Sequence, residues 1–458
     1  MSDSRSELAG VGSGLGGPMR TSGYAWYMAA LLSFAFLLSI LDRYLLGVVI
    51  DAVKSDLELT DTQLGFLLGP SFVIMFLFAS IPFGWLADVS SRKWTIAGGL
   101  LCWSVATAWC GLAENFTELA IARLFVGLGE AALLPSALSL IAAYFSPEKL
   151  NRGIAIFSMG SSFGRASAFA GGGALFAWFV ANRGYAFPLI GENEPWQLVF
   201  ITAGLVGIVF TALFILSARE PVRITAAASR PKFKAGFVLF WQQRWAYLAI
   251  FIPHGMTAAM GAMLAGWAVA FYTRNHGLDV ATASSIVGFT GLICGPIGHL
   301  LGGWLNDFLH GRGMLGTQPY VLAVLLTGAA SFAAIFALST SSILAACAYG
   351  LSYGMLCAAG PTSFGGIQVP TPEQQRGVIS SIFVLVYNAI GNGLGPLLVG
   401  IIGDSFFPEE GGLGPAIAAS LVIVLAVALP FALFGRPAYA RAVREQTARQ
   451  AQLECAEA

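Results

Sequence analysis

Long apolar runs alternate with short polar breaks along this chain. Twelve runs approach or exceed the ~20 residues that carry a helix across a roughly 30 Å hydrocarbon layer. The predicted spans are 24–50, 63–87, 94–112, 117–145, 151–181 and 195–217, followed by 244–273, 279–309, 316–338, 341–369, 375–403 and 413–434. The longest polar break holds Arg219, Glu220, Pro221, Arg223, Arg230, Pro231, Lys232 and Lys234 and divides the chain near its middle. The expected organisation is a disordered cytoplasmic tail over 1–23, a six-helix bundle over 24–217, a linker over 218–243, a second six-helix bundle over 244–434, and a tail over 435–458. In that last tail basic and apolar positions alternate, a pattern suited to an amphipathic helix.

The halves read as repeats. Gly84-Trp85-Leu86-Ala87-Asp88 returns as Gly303-Trp304-Leu305-Asn306-Asp307, followed by Arg92-Lys93 in one half and Arg312 in the other. Pro147-Glu148 with Arg152-Gly153 returns as Pro372-Glu373 with Arg376-Gly377. A six-plus-six repeat is an architecture in which two bundles rock about a central site.

Composition agrees with a polytopic membrane protein: 57% of residues are hydrophobic and only 10% charged. The formal net charge of zero hides a segregation. With both termini placed in the cytoplasm, 18 of the 24 lysines and arginines fall in cytoplasmic loops and tails, while the outer loops hold Lys54, Arg183 and Arg274. That ratio satisfies the positive-inside rule. No cysteine pattern has metal-ligand spacing, and no cofactor or nucleic-acid partner is expected. The chain has no GxxxxGK[ST] segment, which argues against ATP-driven transport. Nor do a nucleophile, a base and an orienting group gather at one depth, which argues against an enzyme.

A few polar residues interrupt the apolar spans, and such intrusions are costly enough to be functional by default. Arg123 and Glu130 are seven residues apart, close to two helical turns, so they share one face. Asp42 and Arg43 are adjacent, about 100° apart, so they cannot aim at the same place. At least one of them is expected to line a pathway. Arg165 is either a further pathway cation or a side chain that snorkels to an interface. Met256, Met260, Met263 and Trp267 form a helical stripe, either plain packing or an apolar cavity wall adaptable to an alkyl chain. His254 and His299 are expected to be structural, hydrogen-bonded histidines.

GWLADVSSRK, residues 84–93, resembles the loop motif of the Major Facilitator Superfamily, with Val89 in place of the usual arginine and Ser91 in place of the usual glycine. The resemblance implies that Asp88 latches the two halves against the start of the eleventh span. Arg92, Lys93, Asp307, Arg312 and Arg376 would complete that cytoplasmic gate. Asp42-Arg43-Tyr44 in the first span and R-x-x-x-G-x-G-E-A over 123–131 in the fourth resemble the Spinster branch of the superfamily. This implies a monomeric, proton-coupled secondary transporter, working by alternating access in a bacterial inner membrane, for an amphipathic anion such as a lysophospholipid or sphingosine phosphate. By the same resemblance Asp42 and Glu130 are the protonation candidates, and Arg43 and Arg123 would balance a carboxylate or hold an anionic headgroup. The competing role for Arg123 and Glu130 is to tie spans four and one together. Two other functions remain open: a proton symporter of small organic anions, favoured if polar groups such as Tyr353, Ser352 or Asn388 line the second-half wall, and a membrane receptor or scaffold without transport.

Overall fold

The computed structural model describes residues 23–182, 193–221, 233–314, 316–409 and 411–457. The expected tail up to residue 22, Arg183 and linker positions 222–232 lie outside the described residues. The first half runs α1 (Gly23–Val48), α2 (Ile50–Asp56), α3 (Asp61–Leu68), α4 (Pro70–Val89), α5 (Arg92–Cys110), α6 (Phe116–Glu130), α7 (Leu133–Tyr144), α8 (Pro147–Ala166), α9 (Gly172–Ala181) and α10 (Pro195–Ser217). The second runs α11 (Phe233–Gln242), α12 (Arg244–His276), α13 (Val280–Gly311), α14 (Gln318–Leu338), α15 (Ser342–Gln368), α16 (Arg376–Asn388), α17 (Gly395–Phe406) and α18 (Leu413–Glu457). No strand occurs among the described residues.

Several of these helices are pieces of one span, and each break has a local cause. Gly69 followed by Pro70 separates α3 from α4. Pro135, in the first turn of α7, cannot donate an N–H to Ala131, so the span is interrupted directly after Glu130. A π turn over Ser167–Gly171 joins α8 to α9, and another over Ala389–Leu394 joins α16 to α17. The two lie at matching places in the sequence repeat. Joined in this way, the pieces give the twelve spans of an all-α membrane fold with six in each half.

Ten helices among the described residues are long and apolar enough to cross a membrane by length and composition alone. The two other spans are α5 and the α8–α9 rod. The latter opens on Glu148, Lys149 and Arg152 and carries Arg165, so it is too polar to stand alone in lipid. Neighbours supply what lipid would not: α1 packs on α8, and α5 on α10 and α6. In the second half α13 packs on α15, α12 on α18, and α14 on both α15 and α18. The halves meet where α3 lies on α17, α1 on α12, and α13 on α8, α9 and the first π turn.

The expected linker is partly helical, since α11 packs on α16. The expected tail continues α18 without a break, and its Tyr439 hydroxyl donates to the carbonyl of Gly366 at 2.7 Å.

Close approach of α1 and α8 depends on Gly160 and Gly164, which face the backbone carbonyls of Ser33 and Leu37 with no room for a side chain. Lipid tails are as apolar as leucine, so such backbone contact is a main source of helix association in a bilayer. Gly160→Val is expected to destabilise the first half by roughly 1–3 kcal/mol through overpacking. Gly98→Ala, where open space receives the new methyl, should leave stability unchanged. Thermal unfolding in detergent, with and without bound lipid, checks both.

Candidate functional site

The interior charges of the first half gather around α1. Ser39 and Arg43, four residues apart, share one face of that helix while Asp42 is turned from it, and burial favours a partner for each polar group. Glu130 Oε2 accepts from Arg43 Nη2 at 2.6 Å and from the Ser39 hydroxyl at 2.8 Å. The Glu130 side chain is completely buried, while Arg43 keeps 18% of its side chain exposed. Asp42 turns the other way, and its Oδ2 accepts from the Thr107 hydroxyl of α5 at 3.1 Å. Arg123 Nη1 donates to the Asp42 carbonyl at 3.3 Å, and its Nε donates to the Leu67 carbonyl at 3.4 Å. Arg123 and Glu130 therefore both bind α1, and Arg43 is the residue that pairs with Glu130. The guanidinium of Arg43 also lies 4.4 Å from the ring centre of Phe72.

Arg165 is held differently. It stacks over the rings of Tyr353 at 4.3 Å and Tyr44 at 4.7 Å, and it donates to the hydroxyls of Tyr44 at 3.3 Å and Tyr349 at 3.4 Å. No carboxylate pairs with it among the described residues. Its buried Nε has no hydrogen-bond partner among the described residues, and the same is true of Arg43 Nε and Glu130 Oε1. The aromatic rings offset part of the cost of an unpaired buried cation.

Two cavities touch these cations. One of ≈ 150 Å³ lies between the halves, lined from the first by Ile40, Tyr44, Ser161, Ser162, Arg165 and Ala166, and from the second by Gly291, Leu292, Gly295, Pro296, His299 and Tyr353. A smaller one of ≈ 20 Å³ is bordered by Arg43, Tyr44, Phe72, Gly266, Asn392 and Pro396, among others. Tyr44 is a wall of both. His299 Nδ1 lies 2.9 Å from the Gly295 carbonyl, so one ring nitrogen is satisfied locally while the ring borders the larger cavity. His254 lies 2.9 Å from the Ser363 hydroxyl, packed among Phe383 and Tyr387.

The methionine stripe sits elsewhere. Met260, Met263 and Trp267 are fully buried in packing and line neither cavity, and the Trp267 ring nitrogen donates to the Pro396 carbonyl at 3.0 Å. The apolar-wall expectation gives way to the packing one because α12 is surrounded by neighbours over most of its circumference. Ser352 likewise points away from the cavity, donating to the Ala329 carbonyl. Asn388 Nδ2 donates to the Val384 carbonyl, and its oxygen accepts from Asn392.

At the linker end, each half satisfies its own charges. Arg92 Nε donates to Glu220 Oε1 at 2.9 Å, and Glu220 Oε2 accepts from the Ser91 hydroxyl at 3.0 Å and the Lys93 N–H at 2.8 Å. Arg376 lies 3.5 Å from Glu373 and donates to the Thr371 carbonyl. Arg312 stacks on Phe308, and Asp307 is exposed. The side chain of Asp88 lies outside the described residues. No ion pair joins the halves at this end among the described residues.

The opposite end is tied across the halves. Arg274 of α12 donates to Asp51 of α2 at 2.7 Å and to both oxygens of Asp61 of α3, at 2.8 and 3.0 Å. The Thr273 hydroxyl donates to Asp51 as well. Asp404 of α17 accepts from the N–H groups of Asp61 and Thr62, completing the helix N-terminus that Thr60 caps. Sequence reasoning placed Arg274 and Lys54 only as outer-loop cations. The signal that could have found this cluster is one arginine in the second half facing two aspartates, Asp51 and Asp61, at the corresponding end of the first. Tyr44 and Tyr349 were missed too, although a tyrosine hydroxyl inside an apolar run is a ready hydrogen-bond acceptor for an intramembrane arginine.

The sequence profile described as Major Facilitator Superfamily matches residues 32–396. The chain is 26% identical over 410 residues to an MFS-type efflux pump of Mycolicibacterium smegmatis, covering 90% of each chain. It is 25% identical over 394 residues to a probable L-galactonate transporter of Escherichia coli, covering 82% of each. Its structure resembles the crystal structure of a bacterial homologue of the human lysosomal transporter Spinster, inward-facing and occupied. That match has a TM-score of 0.77 at 25% identity and covers 93% of this chain and 98% of the other.

Arg274→Gln is expected to open the end it ties, shifting the population by roughly tenfold, about 1.4 kcal/mol. Lys54→Gln, which removes a pair made within the first half at 2.7 Å, should not. Distances between spin labels on α2 and α17 check this. Burial works against the Glu220 anion, yet the Lys93 N–H, Arg92 and Ser91 outweigh it and hold the carboxyl below its usual range. The stabilisation it brings is then complete above the ordinary carboxylate range and lost as pH falls through its lowered pKa. Glu220→Gln should melt earlier than wild type at pH 7, and the two melting curves should converge in acid.

Proposed function

The chain belongs to the Major Facilitator Superfamily, and from that premise we propose that it is a proton-coupled carrier of an organic anion, held at Arg165 between two rocking halves. Its family and relatives are membrane transporters rather than enzymes. The observation that carries the proposal is the charge balance of the interior: three arginines, Arg43, Arg123 and Arg165, face two carboxylates, Asp42 and Glu130. With both carboxylates ionised, one positive charge is left over: Arg43 pairs with Glu130, Arg123 is held by backbone carbonyls beside Asp42, and Arg165 has neither a carboxylate nor a carbonyl partner among the described residues. An anion entering the larger cavity would supply it, and the planar guanidinium suits a carboxylate or phosphate. Protons would reach Glu130 or Asp42. Protonating Glu130 frees Arg43 for the second cavity, so proton and anion would act on connected groups.

Of the substrate classes, a compact carboxylate is the better supported. The larger cavity measures ≈ 150 Å³, and polar groups stand among the apolar ones on both of its walls, Ser161 and Ser162 in the first half and His299 and Tyr353 in the second. The relative named for L-galactonate points the same way. The second reading, an amphipathic lipid-like anion, is favoured by the likeness to the Spinster homologue. We place the linker and both termini in the cytoplasm of a bacterial cell, on the positive-inside argument. The linker end is then the open one, and Asp88, Arg92, Lys93, Asp307, Arg312 and Arg376 would close it in the alternate state. The unit of transport would be a monomer of two bundles.

Uptake into proteoliposomes tests the proposal. Arg165→Gln should reduce uptake of a labelled sugar acid at least 100-fold, while Arg165→Lys keeps partial activity. Glu130→Gln should lose uptake driven by a pH gradient but keep exchange of labelled for unlabelled substrate. Gradient-driven uptake of a lysophospholipid, with none of any sugar acid, would overturn the compact-anion reading and favour the second. Undiminished gradient coupling in Glu130→Gln would remove the proton role.

A further inference from the structure

A groove on the second half lies outside the transport pathway. Where α18 carries Pro430 and Pro437, it runs beside the first turn of α12, and the two helices border a cavity of ≈ 510 Å³ whose walls include Trp245, Phe431, Phe434 and Arg441. A second depression of ≈ 390 Å³ continues from it, edged by Pro437, Arg441, Arg444 and Glu445. The groove thus changes along its length from aromatic to basic.

Its depth relative to a bilayer follows from helix geometry. About 20 residues of α18 cover the hydrocarbon layer, so the helix leaves it shortly after Pro430. Phe434, 83% exposed, and Trp245, 57% exposed, therefore lie near the boundary. Tryptophan is enriched at that level because its ring is apolar and its N–H polar. Arg441 and Arg444 come two to three turns later, at headgroup level or just beyond. Both are exposed, and neither pairs with a carboxylate among the described residues. Arg444 Nε donates to the Ala440 carbonyl, which leaves the remaining guanidinium donors free. Arg244, stacked on Trp241 and Trp245, adds a third cation. Glu445 is the acidic residue on the rim, so cations outnumber anions there.

Tyr439, Ala442 and Val443, on the opposite face of the same helix segment, are buried against Tyr247, Ile250 and neighbours, which fixes the arginines outward. A soluble anion would use the arginines and leave the aromatic wall bare, and a purely apolar partner would leave the arginines uncompensated. We propose that this groove binds an anionic phospholipid of the surrounding bilayer, with an acyl chain along Trp245 and Phe434 and the phosphate on Arg441 and Arg444. A bound lipid would clamp the end of α18 to α12. This site is independent of the substrate cavity and of the transport reading.

Native mass spectrometry of the full chain in mild detergent tests it, with phosphatidylglycerol, phosphatidylcholine and inorganic phosphate as probes. Wild type is expected to retain phosphatidylglycerol at least fivefold better than phosphatidylcholine, and millimolar phosphate should not displace it. Arg441→Gln with Arg444→Gln should abolish the preference. Arg449→Gln, the same kind of charge loss beyond the groove, should keep it. Phe434→Asn, at an exposed position where folding is insensitive, should weaken retention of both lipids. Equal retention of the two lipids by wild type would overturn the proposal. So would an equal loss in Arg449→Gln, which means a diffuse basic surface, or displacement by phosphate, which means a soluble-anion site.

Discussion

Three arginines and two carboxylates share an interior in which Asp42, Arg123 and Glu130 are buried and only Arg43 and Arg165 keep partial exposure, and the protein is arranged around that imbalance. Paired buried charges are tolerated only when hydrogen bonds take up the remaining donors and acceptors. Glu130 meets this condition on Oε2, through Arg43 and Ser39, while its Oε1 has no partner among the described residues, and Asp42 meets it in part through Thr107. Arg123 donates through Nε and Nη1 to backbone carbonyls of α3 and α1, which hold it as a strut, and its Nη2 has no partner among the described residues. Arg165 has aromatic faces and phenol hydroxyls instead of a carboxylate. It also borders the larger cavity, so the point of greatest electrostatic need coincides with the point of access.

The two ends of the bundle differ in a way that suits a rocking motion. At the linker end Arg92 pairs with Glu220 and Arg376 with Glu373, each within its own half. Parting the halves there leaves no charge stranded. At the other end Arg274 reaches across to Asp51 and Asp61, so separation would expose an arginine and two aspartates at once. Alternating access needs this kind of asymmetry, since a closed end must hold itself together without the ligand.

The π turns extend the same logic to the helices. Ser167–Gly171 follows Arg165 by one residue, and Ala389–Leu394 contains Asn392, a wall of the smaller cavity. Each π turn packs against the other half, the first on α13 and the second on α4. π turns concentrate at functional sites because one extra residue re-aims side chains without ending the helix. Their matching positions in the two halves tie this local irregularity to the repeat itself.

Much of the fold was legible along the chain because a bilayer imposes a length and a polarity on every span. The twelve runs, the midpoint break and the repeated GWL-x-D segments all follow from that one-dimensional constraint, and so does the rarity of Asp42, Arg43, Arg123, Glu130 and Arg165. Helical periodicity could also say that Arg123 and Glu130 share a face and that Asp42 and Arg43 do not. Partnership lay beyond it. That Glu130 binds Arg43, that Arg165 is ringed by tyrosines from both halves, and that Met260 and Met263 are packed away from the cavity depend on which helices lie side by side. Those contacts span from roughly 90 to 180 residues of sequence, and only tertiary packing brings such distant positions within hydrogen-bonding range.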